Sequence, residues 1–193
     1  EKLNDHVLIQ NAINNFYFYR SIGARKEALK MALGSPALNN EHREKIIKKL
    51  KDAGLVVMPT IGAKRHAEKV AAWGVDAVIA QGHEGGGHTG QVPTSLLLPQ
   101  VCDTVDIPVL GAGGFNDGRG LVAALSYGAS GIAMGSRFMM TSDSPVPDAV
   151  KAAYTGAGTQ DIFVTKKIDG LPQRMIRNAM VDRIERGGAL ARW

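Results

Sequence analysis

The stretch Ile107-Pro-Val-Leu-Gly-Ala-Gly-Gly-Phe-Asn-Asp-Gly-Arg-Gly120 decides the fold. Its first residues, Ile107–Gly111, form a short apolar run, which is typical of a strand buried on both faces. A glycine-rich turn follows, and the apolar spacing after it predicts a helix over Gly118–Tyr127. A strand, a tight turn and a helix in that order are the repeating unit of a parallel α/β sheet.

The same unit recurs before and after this stretch. We predict further strands over Leu55–Thr60, Asp76–Ala80 and Gly131–Met134, and further helices over Glu41–Ala53, Ala63–Trp73, residues 95–104 and Pro147–Tyr154. Short apolar strands that alternate with helices predict an α/β protein with a parallel sheet. An open doubly wound sheet and a closed (β/α)₈ barrel both fit this pattern, and both bind ligands beyond the carboxyl ends of their strands.

The two ends of the chain depart from this alternation. Residues 1–40 form an unassigned N-terminal segment, in which a helix is predicted over Lys26–Leu33. Residues 41–160 hold the β/α units. Residues 161–193 form a C-terminal arm, with an extended stretch predicted over Asp161–Lys167 and a helix over Met175–Glu185.

The composition is that of a globular protein with a basic surplus. Lys and Arg number 23 against 18 Asp and Glu, and the net charge of +5 favours anionic ligands. The basic residues form no dense tract, so we do not expect nucleic acid as a partner. No apolar run approaches the length of a bilayer span and no signal peptide is visible, so we expect no membrane partner and a cytoplasmic location. The single cysteine, Cys102, excludes an internal disulfide and is expected to be a buried thiol.

A first candidate site is the loop Ala80-Gln-Gly-His-Glu-Gly-Gly-Gly-His-Thr-Gly90, directly after a predicted strand. Its consecutive glycines let backbone N–H groups converge on a ligand and leave His88 on an open loop. An imidazole there could transfer a proton near pH 7 or donate a hydrogen bond. His83, Glu84 and His88 also suggest a metal site, but a glycine-rich loop is a poor rigid template, so we expect none.

Two further turns are typical of a phosphate site. Gly113 and Gly114 lie between a predicted strand and a predicted helix, where free amides and the positive end of the helix dipole favour an anion. Gly135 and Ser136 follow the next strand in the same way. Neither turn matches the dinucleotide fingerprint or a Walker loop. Two phosphate-type turns after neighbouring strands favour the barrel over the open sheet.

These three motifs, in this order, resemble the nitronate monooxygenase family of FMN-dependent barrels, which also contains flavin-dependent enoyl-acyl-carrier-protein reductases. The resemblance runs from about Lys48 to Asn178. It implies a TIM barrel with FMN as cofactor. It further implies that FMN lies against Gln81, Gly86 and Gly87 and that its phosphate is held by Gly113, Gly114, Gly135 and Ser136.

The resemblance also implies the chemistry of the site. His88 takes the position of the family's histidine, a base or hydrogen-bond donor near the flavin N5. The segment Asp169–Arg174, with Arg177 and Asn178, resembles the family's return arm over the mouth of the site. Arg174 would contact an anionic substrate such as a CoA thioester. NAD(P)H is an expected electron donor, and the implied activity is that of a flavin-dependent oxidoreductase or monooxygenase.

A narrower resemblance concerns the substrate. Glu84–Gly90, the Leu-Leu-Leu-Pro run at 96–99, Thr141–Ser144 and Val146–Val150 are similar to a subgroup from actinobacterial steroid catabolism. Members of that subgroup are assigned to the oxidation of CoA-linked ring fragments. The resemblance therefore implies a CoA-linked steroid ring-degradation intermediate as substrate.

One departure from the family keeps other functions open. The family's first strand, with its Pro-Met-Ala-Gly-like turn, and the units after it are not recognisable here. We therefore expect that the sequence either omits a large N-terminal portion of the barrel or is a truncated relative, and that these residues form a barrel without its N-terminal strands. The exposed strand edges of such a barrel would favour pairing with another segment or a homo-oligomer. A flavin-free remnant that acts as an interaction module is one alternative. A phosphate-binding barrel isomerase or synthase is another, although no Lys or carboxylate pair stands at a predicted strand end.

Overall fold

The structure, a computed structural model, describes residues 40–168 and 170–187. The chain divides into two compact units between Val56 and Val57. The described part of the first unit contains helix α1 (Asn40–Asp52), as predicted, and Gly54 follows the helix with a φ of 73°. The helix predicted over Lys26–Leu33 lies outside the described residues. The domain boundaries near residues 40 and 160 stay predictions.

The second unit is built on a parallel sheet with the strand order β1-β2-β4-β5. Its strands are β1 (Thr60–Ile61), β2 (Val78–Gln81), β4 (Val109–Ala112) and β5 (Gly131–Ala133). The helices of this unit are α2 (Lys64–Ala72), α3 (Thr94–Cys102), α4 (Gly118–Ser126), α5 (Ser136–Met139), α6 (Asp148–Gly156) and α7 (Ala179–Glu185), with a 3₁₀ turn at Thr159–Asp161. The predicted alternation of strands and helices is thereby confirmed.

The strand predicted over Leu55–Thr60 is wrong in extent, since only Thr60–Ile61 pairs regularly with β2. Pro59 has no N–H and cannot donate to a ladder. Its carbonyl still accepts from the Ile79 N–H (2.9 Å). The Asp76 carboxylate accepts from the Val57 N–H at 2.7 Å, so a side chain replaces the backbone acceptor in this extended approach.

The core of the unit lies between α3 and the centre of the sheet. Leu97, Leu98 and Val101 on α3 are fully buried, as is Val78 on β2. Burying each of these side chains stabilises the fold by about 1.5–3 kcal/mol. A Cβ at Gly111 would lie 2.7 Å from Leu98 Cδ2, so the absence of a side chain there lets α3 pack closely on β4.

The single cysteine ends this core helix. Cys102 is half-buried rather than fully buried. Burial, and next the charge of Asp103, raise the pKa of its thiol. The thiol is therefore a poor nucleophile, which agrees with the structural role expected from the sequence.

A second, antiparallel sheet joins strands that are distant in sequence, in the order β3-β7-β6. They are β3 (Gly87–His88), β6 (Ile162–Thr165) and β7 (Gln173–Ile176). The extended stretch predicted over Asp161–Lys167 is confirmed. The helix predicted over Met175–Glu185 is wrong in its first residues, because Met175 pairs with Phe163 in the hairpin. Asn178 then caps α7, its Oδ1 accepting from the Val181 N–H at 3.0 Å.

Candidate functional site

The carboxyl ends of the parallel strands lie side by side. Gln81 at the end of β2 pairs with Ala112 at the end of β4, and Ala112 pairs with Ala133 at the end of β5. The three glycine-rich motifs leave the sheet at these ends. The structure therefore brings together at one edge the loops that the sequence analysis selects separately, as expected for a ligand site of a parallel sheet.

The turn after β4 requires glycine for two reasons. Gly113 and Gly114 have φ values of 93° and 80°, a region that costs other residues about 1–2 kcal/mol. A Cβ on Gly113 would also lie 2.7 Å from the Gly85 nitrogen. The turn after β4 thus packs directly against the backbone of the loop after β2.

Backbone amides accumulate at this edge. Among the described residues, the N–H groups of Gly113, Gly114, Gly135 and Ser136 donate to no other group. The register of β4 and β5 places the two turns on neighbouring strands, which lie about 4.8 Å apart in a sheet. A Cβ at Gly135 would meet no atom within 4 Å, so the backbone there borders open space. Clustered amide donors beside open space suit an anion such as phosphate.

The start of α4 is less suited to an anion than the sequence suggests. Asp117 is its N-cap, and its carboxylate accepts from the Arg119 N–H at 3.0 Å and the Arg119 guanidinium at 2.6 Å. These hydrogen bonds from Arg119 hold the pKa of Asp117 at about 2. The N-terminus of α4 is therefore already occupied by the Asp117 carboxylate. The amides that stay available for a phosphate in this turn are those of Gly113 and Gly114.

The loop after β2 is held by hydrogen bonds within itself, whereas the sequence predicted an open loop. The Thr89 hydroxyl lies within hydrogen-bond distance of the His83 and Gly82 carbonyls, at 2.8 and 3.1 Å. His83 Nδ1 contacts the Gly90 carbonyl at 2.8 Å. Glycine is still required at Gly82, where a Cβ would overlap Thr94. Gly86 and Gly87 remain exposed, with open space where a side chain would stand, so a ligand can approach their backbone.

Glu84 joins this loop to the first turn of α3. Its Oε2 accepts from the Thr94 N–H at 2.9 Å and the Thr94 hydroxyl at 2.8 Å. Burial alone would raise the pKa of Glu84, but these hydrogen bonds outweigh it and the pKa is lowered. Glu84 is therefore a charged helix cap in this structure. Within residues 40–168 and 170–187 no cluster of three metal-ligating side chains is found.

His88 lies in β3, fixed by contacts on two sides. Its backbone pairs with Gln173 of β7, and its carbonyl accepts from Gln81 Nε2 at 2.8 Å. Its ring Nε2 lies 3.1 Å from Gln173 Nε2. Gln81, expected against the flavin, therefore uses its amide nitrogen to hold the His88 backbone.

Gln173 lies in the arm that the resemblance places over the mouth of the site, but its contact with His88 was not predicted. It is 85 positions from His88, and no local pattern connects the two. Arg174, its neighbour, was expected to contact substrate. Its Nε donates to the His83 carbonyl at 3.1 Å, which ties β7 to the loop after β2.

A parallel sheet with glycine-rich turns at its carboxyl edge, beside a hairpin that contacts a histidine, is the arrangement of an α/β enzyme with its ligand site at the carboxyl ends of the strands. The family model described as nitronate monooxygenase matches residues 4–192. The chain belongs to the nitronate monooxygenase family, as its motifs suggested. The match also includes most of the N-terminal segment that the sequence analysis leaves unassigned. The family is one of flavin-dependent oxidoreductases.

Curated relatives agree with this membership. The chain is 59% identical over 146 residues to (3aS,4S,5R,7aS)-5-hydroxy-7a-methyl-1-oxo-octahydro-1H-indene-4-carboxyl-CoA dehydrogenase of Rhodococcus jostii, covering 76% of the chain and 41% of the relative. The enzyme of the same name from Mycobacterium tuberculosis is 59% identical, with 75% and 42% covered. A probable nitronate monooxygenase of Staphylococcus aureus is 37% identical, with 73% and 42% covered. The chain thus spans about two-fifths of the length of these relatives.

Solved structures support the fold. FabK from Thermotoga maritima superposes with a TM-score of 0.72 at 38% identity, covering 77% of the chain and 47% of that protein. Nitroalkane oxidase from Streptomyces ansochromogenes gives 0.66 at 27% identity, with 93% and 59% covered. These neighbours are TIM barrels, so the predicted barrel class is confirmed. Among the described residues, no helix combines the length and apolarity that crossing a bilayer requires.

Proposed function

We propose that this chain forms the FMN-phosphate and histidine side of a flavin-dependent oxidoreductase site. The observation that carries the proposal is the group of amides at Gly113, Gly114, Gly135 and Ser136, which donate to none of the described residues and lie beside the loop that holds His88. Each amide that donates to an anion contributes about 1.5–3 kcal/mol, more than a neutral hydrogen bond. No other described loop combines such donors with open space and a histidine.

The residues present fit FMN in two ways. Glycine at 113 and 114 permits the positive-φ turn in which the backbone N–H groups donate to no other described group and are left for phosphate. The exposed backbone of Gly86 and Gly87 suits a flat ring system. Bound FMN would supply the redox chemistry, taking electrons from a substrate or from NAD(P)H. The chain's own part is to bind, to orient, and to hold or donate a proton at His88.

The substrate class we propose is a CoA thioester of a steroid ring fragment. Two relatives at 59% identity carry names that describe a CoA-linked indene carboxylate. The net charge of +5 suits the phosphates of CoA. Arg174 would contribute to this contact through the part of its guanidinium that the His83 carbonyl does not use. A cytoplasmic location and a homo-oligomer complete the proposal.

The test is the visible absorption spectrum of the purified chain, followed by denaturation and identification of the released chromophore. We expect FMN at nearly one per chain, retained or taken up on addition. A colourless protein that fails to bind added FMN would contradict the proposal. It would favour the flavin-free interaction module.

A further inference from the structure

Lys151 is the one residue of α6 that is not exposed. The apolar side chains of Val150 and Tyr154 on the same helix are 40% and 37% exposed. An amphipathic helix normally buries its apolar residues and leaves its lysines in water. The partial burial of Lys151 therefore has another cause, which is the set of contacts that its ammonium group makes with backbone carbonyls.

The two carbonyls belong to the segment that follows α5. Lys151 Nζ donates to the Thr141 carbonyl at 2.8 Å and to the Ser144 carbonyl at 3.0 Å. The Ser144 N–H also donates to the Thr141 carbonyl, at 3.3 Å, so the segment Thr141–Ser144 closes into a turn around that oxygen. Hydrogen bonds from a charged donor are roughly twice as strong as neutral ones. Lys151 thus ties α6 to this turn by two strong contacts.

The turn continues directly from α5, the short helix that begins at one of the two phosphate turns. Successive N–H groups at positions 139–141 donate to the carbonyls of Gly135, Ser136 and Phe138 at 3.0, 3.2 and 3.2 Å. Helix α5 has four residues, none of them buried, and so short a helix is not stable by itself. Its geometry therefore depends on what holds its two ends: β5 at one, and the turn bound by Lys151 at the other.

We propose that Lys151 is a positioning residue for the flavin phosphate. By holding the turn Thr141–Ser144 it keeps α5 formed, and with α5 it keeps the amides of Gly135 and Ser136 directed at the phosphate. Lys151 acts through the backbone, because its ammonium group is bound to the two carbonyls. The inference rests on the proposed function, since it takes these two amides as part of the phosphate site.

The experiment compares Lys151→Met with the matched control Lys167→Met. Both remove one positive charge and one ammonium group that donates to a backbone carbonyl, but Lys167 donates to the Glu185 carbonyl of α7 and not to a phosphate turn. The Kd for FMN and for riboflavin is measured for each variant. In Lys151→Met we expect the Kd for FMN to rise about 10-fold, because misdirected amides lose a contact that only the phosphate makes. The Kd for riboflavin should stay the same, and the control should keep both values.

Three further measurements separate positioning from charge and from overall stability. Lys151→Arg keeps a charged donor and should restore most of the FMN affinity. The difference between the two Met variants should persist in about 1 M salt, where the Debye length falls to about 3 Å and attraction between distant charges is screened. Hydrogen exchange without flavin should show less protection of the amides at 139–141 in Lys151→Met than in Lys167→Met.

An unchanged FMN affinity in Lys151→Met would overturn the inference, as would an equal loss of riboflavin affinity or a loss that disappears in salt. If this variant does not fold by circular dichroism, Lys151→Gln, which is neutral and one atom shorter, takes its place under the same criteria. A chain that binds neither flavin would contradict the proposed function. The exchange comparison, which needs no flavin, would then still support or overturn the bracing of the turn by Lys151.

Discussion

The parallel sheet and the antiparallel sheet contribute to the candidate site by different means. The parallel sheet supplies backbone: glycine turns after β4 and β5 whose amides donate to no other group in the described part of the chain. The antiparallel sheet supplies side chains, since the pairing of β3 with β7 brings Gln173 and Arg174 to the loop that carries His88. A backbone site is encoded locally, by where glycine stands. A side-chain site depends on which distant strands meet.

This contrast predicts two separable phenotypes. Substitutions in the backbone half should weaken cofactor binding, and substitutions in the side-chain half should lower turnover with the cofactor still bound. The strongest test of the second half is His88→Ala. We expect turnover to fall by about 10²–10⁴-fold, the usual contribution of a positioned proton-transfer group. Steady-state kinetics with FMN occupancy measured in parallel would show it. Unchanged turnover would show that His88 takes no part in the reaction. Loss of FMN from the variant would show that cofactor binding and turnover are not separable.

The matching test of the backbone half is Gly113→Ala. Its φ of 93° and the approach of a Cβ to the Gly85 nitrogen should distort the turn, and FMN affinity should fall by at least about 10-fold, or 1.4 kcal/mol. Gly74→Ala is the control, because Gly74 has a φ of 81° but open space around a Cβ. The control should lose about 1–2 kcal/mol of folding stability to strain and keep its FMN affinity. Equal FMN affinities in the two variants would argue against the close approach of the Gly113 turn to the Gly85 backbone.

Glu84 connects the loop that carries His88 to the first turn of α3, and its substitution tests that contact through its dependence on pH. Glu84→Gln should destabilise the fold by about 1 kcal/mol at pH 7, the usual effect of a helix cap that is partly screened by solvent. The folded-state pKa is lowered below 4.5, so this contribution is present above the unfolded pKa and is lost as the pH falls through the folded value.

The control for Glu84 is Glu68→Gln. Glu68 is an exposed residue 3.6 Å from Lys64, and its loss should cost less, about 0.3–0.5 kcal/mol. Chemical denaturation at pH 7 and pH 3 measures both variants. A Glu84 effect that persists undiminished at pH 3 would contradict the assignment of a charged cap.

The smallest effect concerns Arg174. Arg174→Ala removes one hydrogen bond to the His83 carbonyl, worth about 1 kcal/mol, and should raise KM for a CoA thioester if the rest of the guanidinium meets substrate. Arg174→Lys keeps the charge but not the planar fork and is the comparison. Thermal denaturation and KM separate the two roles. An unaltered KM would leave Arg174 with its contact to the loop alone.

The same contrast explains what the sequence could predict. The barrel class, the order of strands and the phosphate turns follow from local signals: apolar runs, helix stops and glycine after each strand. The strand predicted over Leu55–Thr60 was too long because Pro59 has no N–H to donate to the ladder and the Asp76 carboxylate, rather than a backbone carbonyl, accepts from the Val57 N–H. The helix predicted from Met175 began too early because its first residues pair with Phe163, a contact that no local pattern announces.

The candidate site divides in the same way. His88, Gly113 and Gly135 were identified from their own motifs. Gln173 was placed only within the arm over the site, and its contact with His88 was not predicted because it arises from a strand pairing across 85 residues. The hydrogen bonds from Gln81 to the His88 carbonyl and from Arg174 to the His83 carbonyl could not be predicted either. Both acceptors belong to a loop whose path is defined only by the fold.

The central claim is that backbone amides at the carboxyl edge of the parallel sheet bind the phosphate of FMN. The most direct test is to titrate the chain with FMN and with riboflavin, which has the same ring system without the phosphate. Because amide donors to an anion contribute about 1.5–3 kcal/mol each, we expect the Kd for FMN to be at least about 100-fold lower. Equal affinities, or binding of neither flavin, would contradict the account.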